Sequence, residues 1–80
     1  MNEPSREMLN KFSLRTLRLT TMGGRRFMVN ASDAPIAALW LPTDTLEIAE
    51  DEENPYTFII YRVLAGRERE DWEKIHASES

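Results

Sequence analysis

The stretch Tyr56 to Val63, YTFIIYRV, constrains this chain most, because aromatic and β-branched residues fill both faces of what can only be a short strand. A segment of this kind needs cover on each side and belongs in the middle of a sheet. It closes a longer apolar region, Ile36 to Leu64, in which bulky residues recur at strand spacing and are broken by turn formers and acids. Eighty residues make one domain. At that length, folding removes only about 60% of the surface the unfolded chain exposes, so nearly every large apolar residue must be used. Trp40 and Trp72 are the largest of these, each with about 150–250 Å² to bury, and loss of either is expected to threaten the fold.

Around this centre the pattern predicts further strands. Leu17 and Leu19 alternate with Thr16, Arg18 and Thr20 within Leu14 to Thr21, the period of a strand with one wet face. Gly23-Gly24 then supplies a hairpin turn, since glycine takes positive φ without steric cost. The return strand, Arg26 to Ala31, sets Phe27, Val29 and Ala31 inward and Arg26, Met28 and Asn30 outward. After the turn cluster Ser32-Asp33-Ala34-Pro35, the segment Ile36 to Leu41 reads as a strand stopped at Pro42, with a short helix capped by Ser32 as the other possibility. Thr43 to Ala49 resumes alternation, Leu46 and Ile48 in and Thr45 and Glu47 out. A charged loop, Glu50 to Asn54, follows and ends at Pro55.

Two helices are expected at the ends. Ser5 can cap one over Arg6 to Phe12, which groups Met8, Leu9 and Phe12. Ala65 to His76 sets Ala65, Trp72, Ile75 and His76 on one stripe and spaces Glu70 to Lys74 at i, i+4, so this helix is expected to dock through Trp72. Residues 1–5 and 77–80 are expected to be flexible. The expected fold class is therefore α+β: a small antiparallel sheet of about five strands, curled or barrel-like, with a C-terminal helix packed on it and a short N-terminal one.

Charge divides the chain. Of its ten Lys/Arg and fourteen Asp/Glu, residues 1–40 hold six cations against three acids, and residues 41–80 four against eleven. The acids Glu47, Glu50, Asp51, Glu52, Glu53, Glu70 and Glu73 are the candidate surface for a basic protein partner, because complementary charge speeds association. Arg15, Arg18, Arg25 and Arg26, with Phe27 or Trp40 as a stacking ring, are the candidate surface for single-stranded nucleic acid. The same asymmetry permits a homodimer in which a basic hairpin meets an acidic loop.

No stretch carries a catalytic or metal-binding signature. Without cysteine there is neither a disulfide framework nor a thiolate zinc site. His76, the single histidine, is expected at an exposed helix end with no nucleophile beside it. The acids at 50–53 lack the alternating spacing and central glycine of a calcium loop, and Gly23-Gly24 joins strand to strand with no helix N-terminus to hold a phosphate. No cofactor is expected. The amino terminus has acids and a proline where a secretory signal needs an apolar run, and nothing approaches the length of a membrane span, so a cytoplasmic, membrane-free protein is expected.

Trp40-Leu41-Pro42 with Leu46-Glu47, followed by an acidic loop, an apolar strand and Val63 to Trp72 (VLAGREREDW), resembles a group of small phage and mobile-element accessory proteins. The likeness covers Arg26 to Trp72. This chain departs from it in a longer Ser32 to Ile36 connection and in the Arg/Glu-rich closing segment. The resemblance implies a small β-rich accessory protein and transfers no functional residue. Together with small size, acidity and lack of catalytic motifs, it leads to one expectation. The protein is a non-enzymatic inhibitor of a host nucleic-acid-handling complex, of the anti-CRISPR or host-takeover type, with a nucleic-acid-binding barrel as the alternative.

Overall fold

In the computed structural model, which describes residues 3–54 and 57–80, six antiparallel strands pair in a ring and leave no open edge. They are β1 (Ser5–Ser13), β2 (Arg18–Thr21), β3 (Arg26–Val29), β4 (Thr45–Glu50), β5 (Phe58–Arg62) and β6 (Lys74–Glu79). A 3₁₀ turn (Ala31–Asp33) and one four-residue helix, α1 (Ala34–Ala37), lie between β3 and β4, and a second 3₁₀ turn (Arg69–Asp71) lies between β5 and β6. The order around the barrel is β1-β2-β3-β6-β5-β4, and β1 pairs with β4 to close it. The chain thus makes two three-stranded meanders, joined by α1 and sealed where β6 meets β3. Closure satisfies the edge hydrogen-bonding groups that an open sheet of this size would present to other chains.

The barrel-like sheet and the strands around Arg18, Arg26, Leu46 and Ile60 follow the sequence pattern. The hairpin at Gly23-Gly24 does too, and Gly24 has φ +91° there. A Cβ on Gly23 would press on Glu7 Oε1, the movable end of a side chain, whereas Gly24 is required by its backbone conformation. Val29 ends β3, and Ala31 belongs to the 3₁₀ turn. Tyr56, Pro55 and residues 1–2 lie outside the described residues.

Three expected elements are replaced. The segment Arg6 to Phe12 is strand, not helix. A bulge between Leu9 and Lys11 shifts the parity of β1, so Leu9 and Phe12 both face inward although three residues apart, a spacing that imitates a helical turn. Ile36 to Leu41 is not a strand: Ala34, Ala37 and Trp40 are the buried residues, at three-residue intervals. Pro35 suits the first turn of a helix because its missing N–H has no partner to lose there. Ala65 to His76 is not a helix packed on the sheet. It is a loop, a 3₁₀ turn and then β6, in which Ile75 and Ala77 are inward and His76 and Ser78 outward. Residues 77–79, expected to be flexible, pair with β3, and the Ser80 N–H donates to the Arg26 carbonyl at 3.0 Å.

The interior is filled by Leu9, Leu19, Phe27, Val29, Leu46, Ile48, Ile60, Ile75 and Ala77, with Ala37 and Trp40 covering one end. Phe27 meets Phe58 edge to face, ring centres 5.7 Å apart. At the end covered by Trp40, its indole N–H donates to Glu73 Oε1 at 3.2 Å, and Arg62 Nη2 lies 2.7 Å from the same oxygen. At the opposite end the Arg25 guanidinium lies 4.9 Å from the Phe27 ring centre and 5.5 Å from that of Phe58, and pairs with Glu79 and Glu7. Each mouth of the barrel is therefore stoppered by an arginine held between carboxylates. Both tryptophans are used, but only Trp40 serves the interior.

Ile75 in β6 is fully buried, and Ile75→Ala is expected to cost about 2–5 kcal/mol through the cavity left behind. Leu39→Ala, at a residue 73% exposed, is expected to change stability by less than about 0.5 kcal/mol. Urea unfolding of the two variants against the parent protein measures both.

Candidate interaction surface

The outward positions of β4, β5 and β6 form the floor of a groove of about 690 Å³ on the outside of the barrel. Antiparallel register puts Ala49 opposite Ile59 and Ile59 opposite His76, with Glu47 opposite Tyr61 and Tyr61 opposite Lys74 in the next outward row. The floor is consequently apolar and aromatic at Ala49, Ile59 and Tyr61. One lip carries the acids at 50–53, and the other carries Arg69 and Lys74. A concave face with an apolar strip between an acidic and a basic lip offers both desolvation and charge complementarity to a partner.

The rim is built rather than loose. Glu47 faces outward, as alternation predicts, yet its side chain is only 10% exposed, with Arg69 and Arg6 against it. Its carboxylate accepts from Arg69 Nε at 2.8 Å and Nη2 at 2.5 Å, and lies 3.5 Å from Arg6 Nη2. The hydrogen bond to Glu47 holds the Arg69 guanidinium's pKa above its ordinary value, just as the one to Glu79 does for Arg25 at the barrel mouth. Arg69 also lies 4.5 Å from the Tyr61 ring centre, and Trp72 packs edge to face on Tyr61 at 6.4 Å. The Trp72 indole donates to the Leu64 carbonyl at 3.2 Å, and Arg6 approaches its ring at 5.9 Å. Trp72 is an anchor after all, but it fastens a connecting segment to the outside of the barrel rather than a helix to the sheet.

These contacts divide the seven acids proposed from sequence. Glu47 and Glu73 are consumed by arginines and by Trp40. Asp51 organises its own loop, accepting from the Glu53 N–H at 3.0 Å and the Thr57 hydroxyl at 3.2 Å. Glu50, Glu52 and Glu53 are exposed on the rim. Glu70 is exposed beside Trp72 in an adjoining pocket of about 310 Å³ lined also by Tyr61, Arg69 and Lys74. Sequence could not separate the buried from the exposed acids, because the separation depends on the tertiary contacts each one meets.

The four arginines of the alternative surface are likewise not equivalent. Arg25 is committed to the barrel mouth, with only 30% of its side chain exposed. Arg18 and Arg26 project from the outer face of β2 and β3, and Arg15 lies in the turn before β2; all three are exposed. Phe27 and Trp40, the rings suggested for stacking, are 0% and 5% exposed. Neither ring is exposed for stacking on bases.

His76 is not at a helix end. It sits on β6 and lines the groove, its Nδ1 3.4 Å from Asp33 Oδ2, while its backbone N–H donates to the same oxygen at 2.8 Å. Among the described residues no three His, Cys, Asp or Glu side chains are grouped as metal ligands, and no helix is long and apolar enough to cross a membrane. Trp40-Leu41-Pro42, which carries much of the likeness to the accessory proteins, lies between α1 and β4 rather than in a strand. No protein-family model, curated protein or solved structure matches this chain.

Replacing Glu47 by Ala leaves two guanidiniums without their shared carboxylate. Both arginines are about half exposed and can take up water, so a loss of about 1–2 kcal/mol is expected in place of the roughly 3–5 kcal/mol of a broken buried pair. Chemical unfolding at neutral pH measures it. Tyr61 fluorescence resolved from tryptophan reports whether Arg69 leaves the ring.

Proposed function

We propose that the protein is a non-enzymatic interaction protein that takes a segment of a basic protein partner into the groove over β4, β5 and β6. The observation that carries the reading is the composition of this concavity: Ala49, Ile59 and Tyr61 between a lip bearing the exposed Glu52 and Glu53 and a facing lip bearing Arg69, which Glu47 already neutralises, and Lys74. Apolar and aromatic floor residues supply affinity on desolvation, and the acidic rim selects a cationic segment and speeds its arrival. Glu70, beside Trp72, adds one exposed acid to the adjoining pocket on the Arg69 and Lys74 side.

An inhibitor acting on a host nucleic-acid-handling complex is the specific form we propose. Supporting it are the net charge of −4 in a chain of eighty residues and the placement of rim acids where they can stand in for phosphates before a basic cleft. The resemblance of Trp40-Leu41-Pro42 and Leu46-Glu47 to phage and mobile-element accessory proteins points the same way.

Affinity capture with the parent protein and with Glu52→Lys/Glu53→Lys tests the reading. The expected result is one stoichiometric basic partner, released as salt rises and lost with the double variant. Recovery of general chaperones alone, or a partner held equally by both proteins, refutes it. The two glutamates are exposed, so the variant is expected to unfold at the same temperature as the parent.

A further inference from the structure

The opposite side of the barrel carries a second charged face that the groove reading does not use. In the six-stranded ring β2 lies across from β5. Register sets Lys11 beside Thr20 and Thr20 beside Arg26, and in the next row Ser13 beside Arg18, Arg18 beside Met28 and Met28 beside Ser78. With strands about 4.8 Å apart and a rise of about 3.4 Å per residue, Lys11 and Arg26 stand roughly 10 Å apart and Arg18 roughly 8 Å from each. All three are exposed, and none pairs with a carboxylate among the described residues. The single acid within β1, β2 and β3 is Glu7, and it turns to the barrel mouth, where it accepts from the Thr21 hydroxyl and pairs with Arg25. The remaining polar groups of the face, Ser13, Thr20 and Ser78, are hydroxyls able to donate to phosphate.

We propose that this face binds the sugar-phosphate backbone of duplex nucleic acid without regard to sequence. Three unopposed cations interleaved with hydroxyls match a surface carrying one negative charge per about 1.7 Å of axis. Single strands draw much of their affinity from base stacking, and no aromatic side chain stands on this face. An anionic membrane would gain only about 1 kcal/mol per cation, with Met28 as the sole large apolar side chain of these two rows. The chain's net negative charge does not forbid the contact. The barrel measures 30 × 28 × 24 Å, and the acidic rim on the far side lies beyond the roughly 10 Å over which charge is felt at 0.1 M salt.

Fluorescence anisotropy with a labelled mixed-sequence DNA duplex of about 20 base pairs, titrated with the whole protein between about 25 and 150 mM salt, is the test. Three phosphate contacts predict a log–log salt slope of about −2.7, and Arg18→Gln/Arg26→Gln is expected to bring it to about −0.9. The same double variant is expected to weaken binding at least about tenfold at the low-salt end. Lys11→Gln alone is expected to remove about 0.9 from the slope, which keeps the test decisive should the double variant unfold. Arg67→Gln, an equal charge change elsewhere, and Glu52→Gln/Glu53→Gln on the groove rim are expected to bind no more weakly than the parent. Absence of duplex binding at low salt, an unchanged slope in the variants, or tighter binding to the single strand or to phosphatidylserine vesicles overturns the proposal. None of these results bears on the groove, whose partner is lost through Glu52 and Glu53 instead.

Discussion

The pairing of β6 with both β3 and β5 is the constraint on which the rest of this protein depends. Until the last strand is in place, β3 and β5 each present an unpaired row of backbone groups, and the apolar residues behind them, Phe27, Val29 and Ile60, face an opening. When Ile75 and Ala77 enter, the ring closes and the interior becomes continuous. A domain this small has no second layer to compensate, because nearly all its apolar surface is invested in one core. Closure also requires contacts between residues some fifty positions apart, such as Phe27 with Glu79, so the stabilising pairings follow the loop-closure cost rather than precede it.

Closing the ring leaves two ends to seal, and the same chemistry serves at both. A guanidinium is planar and weakly hydrated, and its multiple donors suit a site that is half core and half solvent. Arg25 lies over Phe27 and Phe58 while paired with Glu79 and Glu7, and Arg62 joins Glu73 and Asp44 beneath the Trp40 indole. Arginine and glutamate are therefore structural residues here as much as surface ones. Counting charges along the chain overstates what is free to meet a partner.

The charges left over are sorted by strand. The outer positions of β1, β2 and β3 bring forward Lys11, Arg18 and Arg26, and those of β4, β5 and β6 an apolar floor with acids on one rim. The closed barrel wall stands between these two sides.

Local pattern was enough to identify β3, β4, β5 and the Arg18–Thr21 half of the strand expected from Leu14, the inward residues Leu19, Phe27, Leu46 and Ile48, and the glycine hairpin, because a period of two over a half-buried sheet is written directly into side-chain order; in β5, apolar on both faces, it did not single out Ile60 as the inward residue. Three elements were not legible. In β1 a bulge breaks the period and makes Leu9 and Phe12 look helical. In α1 the inward residues include two alanines, too small to mark a helical face. In β6 the alternation Ile75, Ala77 is short and preceded by Trp72, which completes a false helical stripe. Of the candidate surface residues, sequence supplied the identities and the segregation of charge, but not which were free. The amino-acid order determines which residues can alternate and where the chain can turn. Only the closed ring decides that Glu47, Glu73 and Arg25 are spent on one another's neighbours while Glu52, Glu53, Arg18 and Arg26 face outward. An ion pair such as Arg25 with Glu79 or Arg6 with Glu47, 54 and 41 positions apart, exists only once closure brings its two ends together.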